Sequence, residues 1–342
     1  MKKIFFAILC SAAVISCAKE EVITAEKEAI TFENAFVDNA TKALDSYTIT
    51  KTNLGTFNVW GTTQMPGAAE IVPIFVEEAV SSADNGATWT YAAASTQYWI
   101  PGNSYVFAAA KNYESAGIVN GVPATFVYDA AAQKDLLYDA TATLTGAEAG
   151  SNDSVEFTFE HLLSKAYFTV HNDMSTANPL YTYRISNIAI NNAVKKATYY
   201  VGDQEWKDVV ASYSSAEPLR FGNVNGDEDA DTEAAVKIPA HTHWYTSHHS
   251  RLLIPATYTD LNITCTIETL YDDAVIDVEN YNRNIDFTFV KGHSYNFIFF
   301  LKEPGDEIHF DVVDVNGWNT DHNNDDIYGD DERLPNMDNQ RP

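Results

Sequence analysis

Hydrophobic and polar residues alternate most clearly in a central stretch of the chain, residues 154–171. Over residues 155–160 every second residue is apolar, a period typical of a strand that buries one face. The alternation breaks over residues 161–165 and resumes over residues 166–171, which predicts a second strand. We interpret the break as the seam between two β-domains, at which the last strand of the first is followed by the first strand of the second.

The same pattern, interrupted by turn-rich segments, predicts strands along most of the chain. In the first half they fall at residues 29–38, 54–61, 71–80, 89–91, 105–110, 125–128 and 140–144. In the second half they fall at residues 183–190, 197–201, 236–239, 251–255, 262–270, 275–279, 285–290, 295–301 and 308–315. Aromatic residues make up 13% of the chain, and runs at helical spacing are missing, so the sequence predicts an all-β protein.

A chain of 342 residues exceeds what one small core usually supports, which favours two domains. A short internal repeat, Gly-x-Ser-Tyr-x-Phe at residues 102–107 and 292–297, indicates that the two are related, because glycine opens a turn and the aromatic residues then share one strand face. The predicted division is a signal peptide (1–16), a tether (17–28), an N-terminal β-sandwich (29–161), a C-terminal β-sandwich (162–318) and an acidic tail (319–342). The tail has almost no aliphatic residues, which predicts disorder.

The amino terminus has the layout of a secretory signal peptide, with two lysines before an apolar run over residues 4–14. This run is too short to span a bilayer. The residues before Cys17 resemble the lipobox of bacterial lipoproteins, in which the cysteine receives the lipid. Lys19, Glu20 and Glu21 follow directly and resemble a short signal for export to the outer face of the outer membrane.

Cysteine usage and charge exclude several classes of protein. Because Cys10 lies in the signal and Cys17 would carry lipid, Cys265 is the one remaining thiol, and no disulfide framework can form. Apolar neighbours at period 2 place Cys265 in a core. The formal charge is −27, or −29 without the signal (19 basic against 48 acidic residues), which argues against nucleic acid and anionic lipid surfaces as partners.

Few residues are candidates for chemistry. The strongest cluster is a His-rich run, because imidazole is a common metal ligand; its members are His241, His243, His248 and His249. An exposed polar loop is the alternative for this run. Acidic segments at residues 227–231 and 321–332 lack the glycine of a calcium-binding loop, so solvated loops are the better interpretation. Three tryptophans, Trp60, Trp99 and Trp244, could stack on sugars if they are exposed, but an aromatic residue in a β-rich chain is more often in a core. No catalytic motif is present in the sequence, so neither an enzyme nor a cofactor is predicted.

Several segments, taken in order, resemble the fimbrillin family, whose members are subunits of fimbriae in Bacteroides-type bacteria. They are WIPGNSY (99–105), FTFEHLLSKAYFTV (157–170), LLIP (252–255), KGHSY (291–295) and IHFDVVDVNGW (308–318). The resemblance implies two tandem transthyretin-like β-sandwiches, export as a lipoprotein and assembly with other fimbrial subunits at the cell surface by strand exchange. It also implies cleavage by a trypsin-like protease in the loop after the first strand, where Lys42 is the matching basic residue.

One departure from the family concerns the carboxy-terminal strand that stalk subunits donate. The residues after Trp318 are too polar for a good donor strand, so either residues 308–315 are donated or the chain is a tip or accessory subunit. We favour the tip or accessory subunit, with a host glycan or protein as a further partner. The alternative function is a surface lipoprotein that binds glycan or metal without polymerising.

Overall fold

The structure is a computed structural model that describes residues 27–37, 49, 52–174, 180–225, 235–239, 245–247, 249–304 and 308–315. Within these ranges the secondary structure is strand, apart from two single-turn 3-10 helices at Ala93–Ser95 and Ala130–Ala132. The prediction of an all-β protein is therefore confirmed. No helix in the described part of the chain is long and apolar enough to cross a membrane.

The strands are numbered in chain order. Those up to the seam are β1 (Phe32–Val37), β2 (Phe57–Gln64), β3 (Val72–Val80), β4 (Ser104–Lys111), β5 (Ser115–Val119), β6 (Val122–Asp129), β7 (Leu137–Ala140), β8 (Leu144–Thr145) and β9 (Val155–His161). Those after it are β10 (Ser164–Asn172), β11 (Tyr181–Ile190), β12 (Val194–Tyr200), β13 (Glu205–Ser212), β14 (Leu219–Gly222), β15 (Val224–Asn225), β16 (Tyr245–Ser247), β17 (Arg251–Leu253), β18 (Thr257–Tyr271), β19 (Ala274–Thr288), β20 (Ser294–Leu301) and β21 (His309–Val315).

The strands of the described residues form four sheets. The first has the order β1-β9-β7-β4-β2-β3, with β8 beside β4, and the second has the order β15-β16-β10-β20-β21, with β17 beside β10. The third is β14-β11-β18-β19, and the fourth is β13-β12-β6-β5. In the fourth sheet β6, from the first half of the chain, pairs with β12 from the second half.

The two strands of the central stretch belong to different sheets. β9 lies in the first sheet and β10 in the second, and only Leu162 and Leu163 separate them. Each strand also has a parallel neighbour, because β1 pairs with β9 and β10 pairs with β20. The seam is therefore a point at which the chain passes from one sheet to another, while the domain boundaries stay a prediction.

Buried apolar side chains form two cores. The N-terminal core lies against the first sheet and takes its buried residues from positions 30–159. The C-terminal core takes most of its buried residues from the second and third sheets, and Trp60 and Phe126 also belong to it. Residues before the seam therefore contribute to both cores.

Several predicted strands differ from those observed. Residues 89–91 form only isolated bridges at Trp89 and Thr90, and residues 236–239 form one at Ile238. The predicted strands at 275–279 and 285–290 are one strand, β19, because its Asn-rich middle pairs with β18 over almost its full length. Strands β5 and β13 escaped prediction, since both are exposed edges with little apolar alternation.

Candidate functional site

The candidate site is the edge of the first sheet that β1 forms. Phe32, Ala35 and Val37 are buried, whereas Phe36 is 44% exposed. A bulge between Glu33 and Phe36 shifts the alternation by one residue, and Asn34 there has φ = 48°, a conformation that asparagine tolerates well. The bulge thus directs Phe36 to the surface and keeps one face of β1 in the core.

Phe32 is the centre of an aromatic cluster in the N-terminal core. Its ring stacks on Phe157 of β9, with centroids 6.0 Å apart. It makes edge contacts with Phe75 and Phe107 of β3 and β4, at 5.5 and 6.2 Å. A fourth ring, Tyr91, lies 5.6 Å away. β1 therefore fills a position that the strands around it line with aromatic faces and edges.

The backbone before β1 is tied down on both sides. Ile30 N–H donates to Gln97 O at 2.9 Å, and Val155 N–H donates to Thr31 O at 2.8 Å. The Tyr91 hydroxyl donates to Ile30 O at 2.7 Å. Together with the pairing of β1 and β9, these bonds and the buried side chains hold this edge in place.

Glu28 anchors the start of this segment. Its Oε2 accepts hydrogen bonds from Asn152 Nδ2 at 2.6 Å and from the N–H of Gly150 at 2.8 Å. The Asn152 side chain, followed by backbone N–H groups, lowers the pKa of the Glu28 carboxyl below its usual value. The ionised form of Glu28 is therefore the one that holds the segment in place.

At the seam, His161 and Asp135 form a buried pair. His161 Nδ1 lies 2.7 Å from Asp135 Oδ2, and the two side chains are 3% and 0% exposed. Asp135 lies just before β7, which pairs with β9 at His161. Lys165 is also buried, at 4% exposure. Both His161 and Lys165 lie in the stretch where the sequence alternation breaks. Sequence reasoning missed Asp135, because alternation carries no information on which carboxylate lies near a histidine.

The two copies of Gly-x-Ser-Tyr-x-Phe have the same local structure. In each, the glycine has positive φ (82° at Gly102 and 72° at Gly292) and the serine begins a strand, β4 or β20. Ile100 N–H donates to the Tyr105 hydroxyl at 2.7 Å, and Val290 N–H donates to the Tyr295 hydroxyl at 3.0 Å. In both copies the hydroxyl accepts from the residue five positions earlier. The repeat therefore corresponds to the same local structure, a turn followed by a strand, at two places in the chain.

Most site residues proposed from the sequence lie outside the described residues. This holds for Cys17, Lys19, Glu20, Glu21, Lys42, His241, His243 and His248. His249 is described, and its backbone N–H donates to Phe221 O at 3.0 Å. Among the described residues, no group of three or more His, Cys, Asp or Glu side chains is placed to hold a metal ion.

Two of the three tryptophans proposed for sugar stacking, and the cysteine, are described and are core residues. Trp60 is 1% exposed and Trp99 is 7% exposed, so neither offers a face for stacking on a sugar. Trp244 lies outside the described residues. Cys265 is buried on the inner face of β18, as predicted, and this burial raises the pKa of its thiol.

Comparison with solved structures supports the fold. A fimbrial protein from Bacteroides vulgatus matches with a TM-score of 0.64 and 15% identity, over 86% of this chain and 100% of that one. A candidate cell adhesion protein from Bacteroides ovatus matches with a TM-score of 0.50 and 15% identity, over 87% of this chain and 99% of that one. At this identity the likeness concerns the fold alone. Among curated proteins, none matches significantly.

The family model described as fimbrillin-like matches residues 29–318, which include every strand described above. The chain belongs to the fimbrillin-like family. The resemblance drawn from short segments of the sequence is thereby confirmed. Membership of this family also implies a location at the cell surface.

Proposed function

We propose that the protein is a structural and adhesive subunit of a fimbria, assembled by strand exchange after a protease removes β1. The observation that carries this proposal is the position of β1. Among the described strands β1 is at the edge of the first sheet beside β9, with one further isolated bridge from Phe32 to Trp89, yet it supplies buried side chains to the N-terminal core.

Loss of β1 would create a binding groove. The unpaired backbone groups of β9 would become available to another strand, as at any exposed sheet edge. The rings of Phe75, Phe107 and Phe157, which contact Phe32, would line the apolar floor of this groove. A strand from another subunit with apolar residues at alternate positions has the chemistry to fill it.

Lys42 fits the role of the cleavage site in this scheme. It follows the last residue of β1, Val37, by five positions, so cleavage after it would detach β1 while leaving the rest of the first sheet in one chain. The remaining steps of the proposal are lipid attachment at Cys17 and export directed by Lys19, Glu20 and Glu21. Lipid on Cys17 would be the only link to the membrane.

The pairing and packing of β21 support a tip or accessory position of the subunit in the fimbria rather than a stalk position. β21 pairs along seven residues with β20, and Phe310 packs against Phe297 and Phe299 at centroid distances of 6.0 and 5.2 Å. Donating β21 would break this pairing and uncover the C-terminal core. A subunit that receives a strand but does not give one avoids that cost.

Limited trypsin treatment of residues 18–342 tests the proposal. We expect a new amino terminus at Ala43, release of the peptide that contains β1, and uptake of a synthetic strand peptide from another fimbrial subunit. Lys42→Gln is the direct variant and should remain intact, while Lys207→Gln, which alters an exposed lysine on β13, serves as the matched control and should be cut like the wild type.

Two results would contradict strand exchange. One is cleavage after Lys42 with β1 retained through repeated washing in mild denaturant. The other is release of β1 without binding of any donor peptide or formation of oligomers. Cleavage at other lysines first, with Lys42 resistant, would reject this residue as the maturation site.

A further inference from the structure

The longest edge strand in the described part of the chain is β19, which ends the third sheet on one side. Half of the N–H and C=O groups of an edge strand point away from its sheet, where they are open to pairing with another strand. β19 is exposed along most of its 15 residues, and Ile276 and Val278 are 52% and 53% exposed. The edge therefore offers both backbone groups and side chains to a partner.

This edge lacks the features that usually keep edge strands from pairing with other chains. Register shifts interrupt the pairing of the edge strands β1, β3, β5 and β13 with their neighbours. The pairing of β19 with β18 is regular from Asp277 to Ile285, and β19 contains no proline. Because bulges, prolines and short length are the common protections of an edge, β19 is a regular template for the addition of a strand.

The charged side chains of this regular stretch lie on one face of β19. Asp277, Glu279 and Arg283 occupy alternate positions, so they project from the same side of the sheet. None of the three is in an ion pair within the described part of the chain. The guanidinium carbon of Arg283 lies 5.9 Å from the centroid of the Phe310 ring. A guanidinium has five N–H donors, so those not used within the chain can bind a carboxylate.

We propose that β19 pairs antiparallel with β19 of a second copy of the chain, in a register with Asn280 on the twofold axis. In this register Asp277 of each copy lies opposite Arg283 of the other, and Glu279 lies opposite Tyr281. Opposite charges in directly opposed positions stabilise an antiparallel pair, and the twofold symmetry supplies that contact twice. The third sheets of the two copies then form one continuous sheet.

Neighbouring registers match the side chains less well. With the axis at Tyr281, the Asp277 carboxylate lies opposite the apolar side chain of Ile285, and with the axis at Glu279 the two Glu279 carboxylates face each other. The formal charge of −27 makes copies of the chain repel each other, so a self-contact has to be locally complementary. Residues 280–285 contain Arg283 and no acidic residue, which meets this requirement.

The pairing of β19 with a second copy does not depend on strand exchange at β1. The two strands lie in different sheets, β1 in the first and β19 in the third. Strand exchange requires cleavage after β1, whereas the contact through β19 needs only the uncleaved chain. Experiments on purified, uncleaved protein therefore test the β19 contact alone, and its failure would leave the proposed function standing.

Disulfide crosslinking of residues 18–342 tests the register, since Cys265 is the one natural thiol in this range and is buried. Directly opposed residues of an antiparallel pair have Cα atoms about 4.5–5.5 Å apart, which suits a disulfide. Asn280→Cys should therefore form a covalent dimer under mild oxidation. Asn284→Cys, also exposed on β19, is the matched control and should stay monomeric, because the two copies of position 284 would lie roughly 27 Å apart along the strands.

Exchange of charges tests the same contact without a crosslink. Sedimentation of the wild type should show a dimer that dissociates on dilution. Arg283→Asp and Asp277→Arg should each raise the dissociation constant of the dimer about tenfold or more, because each places like charges opposite each other twice. The double variant restores opposite charges and should return the constant to near the wild-type value. Val210→Lys, on the edge strand β13, is the control and should leave it unchanged.

Three results would overturn the proposal. The first is a wild type that stays monomeric at every concentration. The second is disulfide dimerisation that is equal at positions 280 and 284, or absent at position 280. The third is a double charge variant that associates as weakly as either single variant.

Discussion

The ring of Phe32 stacks on the ring of Phe157, with centroids 6.0 Å apart and planes inclined by 21°. This contact joins the edge strand β1 to its parallel neighbour β9 through side chains as well as backbone. The stability of the edge should therefore depend far more on the inward-facing Phe32 than on Phe36, which β1 directs to the surface.

Replacing Phe32 and Phe36 one at a time measures how much each side chain contributes to the free energy of unfolding. Phe32→Ala should lower the free energy of unfolding by about 3–5 kcal/mol, since it removes a buried aromatic ring and leaves a cavity. Phe36→Ala should change it by less than about 1 kcal/mol, because surface substitutions have small effects. Denaturant titration followed by tryptophan fluorescence measures both, and equal losses for the two variants would show that Phe32 does not hold the edge.

The buried pair at the seam should be more sensitive to loss of one partner than to loss of both. Asp135→Ala should cost about 3–5 kcal/mol, because it leaves His161 buried without the carboxylate. The double variant Asp135→Leu with His161→Leu should recover part of this loss, because it leaves neither polar group buried. Lys195→Ala, which breaks a surface ion pair with Glu217, should cost less than about 1 kcal/mol.

A double variant that is less stable than the single variant would contradict this expectation. It would mean that the interaction between His161 and Asp135 itself stabilises the seam, beyond avoiding a buried polar group without a partner. Thermal unfolding at constant pH would measure this difference.

The two tyrosines of the repeated motif should behave alike. Tyr105→Phe and Tyr295→Phe each remove one hydroxyl that accepts a backbone hydrogen bond, so each should cost about 0.5–1.5 kcal/mol. Tyr98→Phe, at a residue that is 43% exposed, is the matched control and should be close to neutral. Unequal losses for Tyr105 and Tyr295 would mean that the shared geometry serves different purposes in the two sheets.

Glu28 should make the attachment of β1 depend on pH. Its pKa is lower in the folded chain than in the unfolded chain, so it contributes stability above the unfolded value, about 4.3. That contribution is lost as the pH falls through the lower, folded pKa. Comparing wild type with Glu28→Gln should therefore show a stability difference at pH 6 that shrinks toward pH 3, whereas a constant difference would exclude a role for the ionised carboxylate.

The sequence predicted those strands whose two faces differ in polarity. β9 and β10 were found because their apolar residues alternate, although β10 proved buried on both faces. β19 was divided in two because its middle is rich in asparagine. In the structure Asn282 and Asn284 face solvent and accept hydrogen bonds from Asn262 of the neighbouring strand, so a polar segment remains a regular strand.

Strand direction and long-range pairing could not be predicted. A period of two residues is the same for parallel and antiparallel neighbours, so nothing in the local pattern indicated that β1 pairs with β9. The bulge at Asn34 could not be predicted either, because strict alternation along β1 would place the side chain of Phe36 in the core. The candidate site was predicted as a segment, but its geometry depends on residues distant in the chain.

The pairing of β1 with β9 also has a consequence for how the chain folds. Phe32 and Val155 are paired although about 120 residues separate them, and closing so long a loop is entropically slow. During synthesis β1 leaves the ribosome first, yet it must wait for β9 before it can join the sheet. A folding intermediate with every strand of the first sheet except β1 would present the same open groove that proteolysis is proposed to create, so chaperones or partner strands would have an opportunity to bind there before folding is complete.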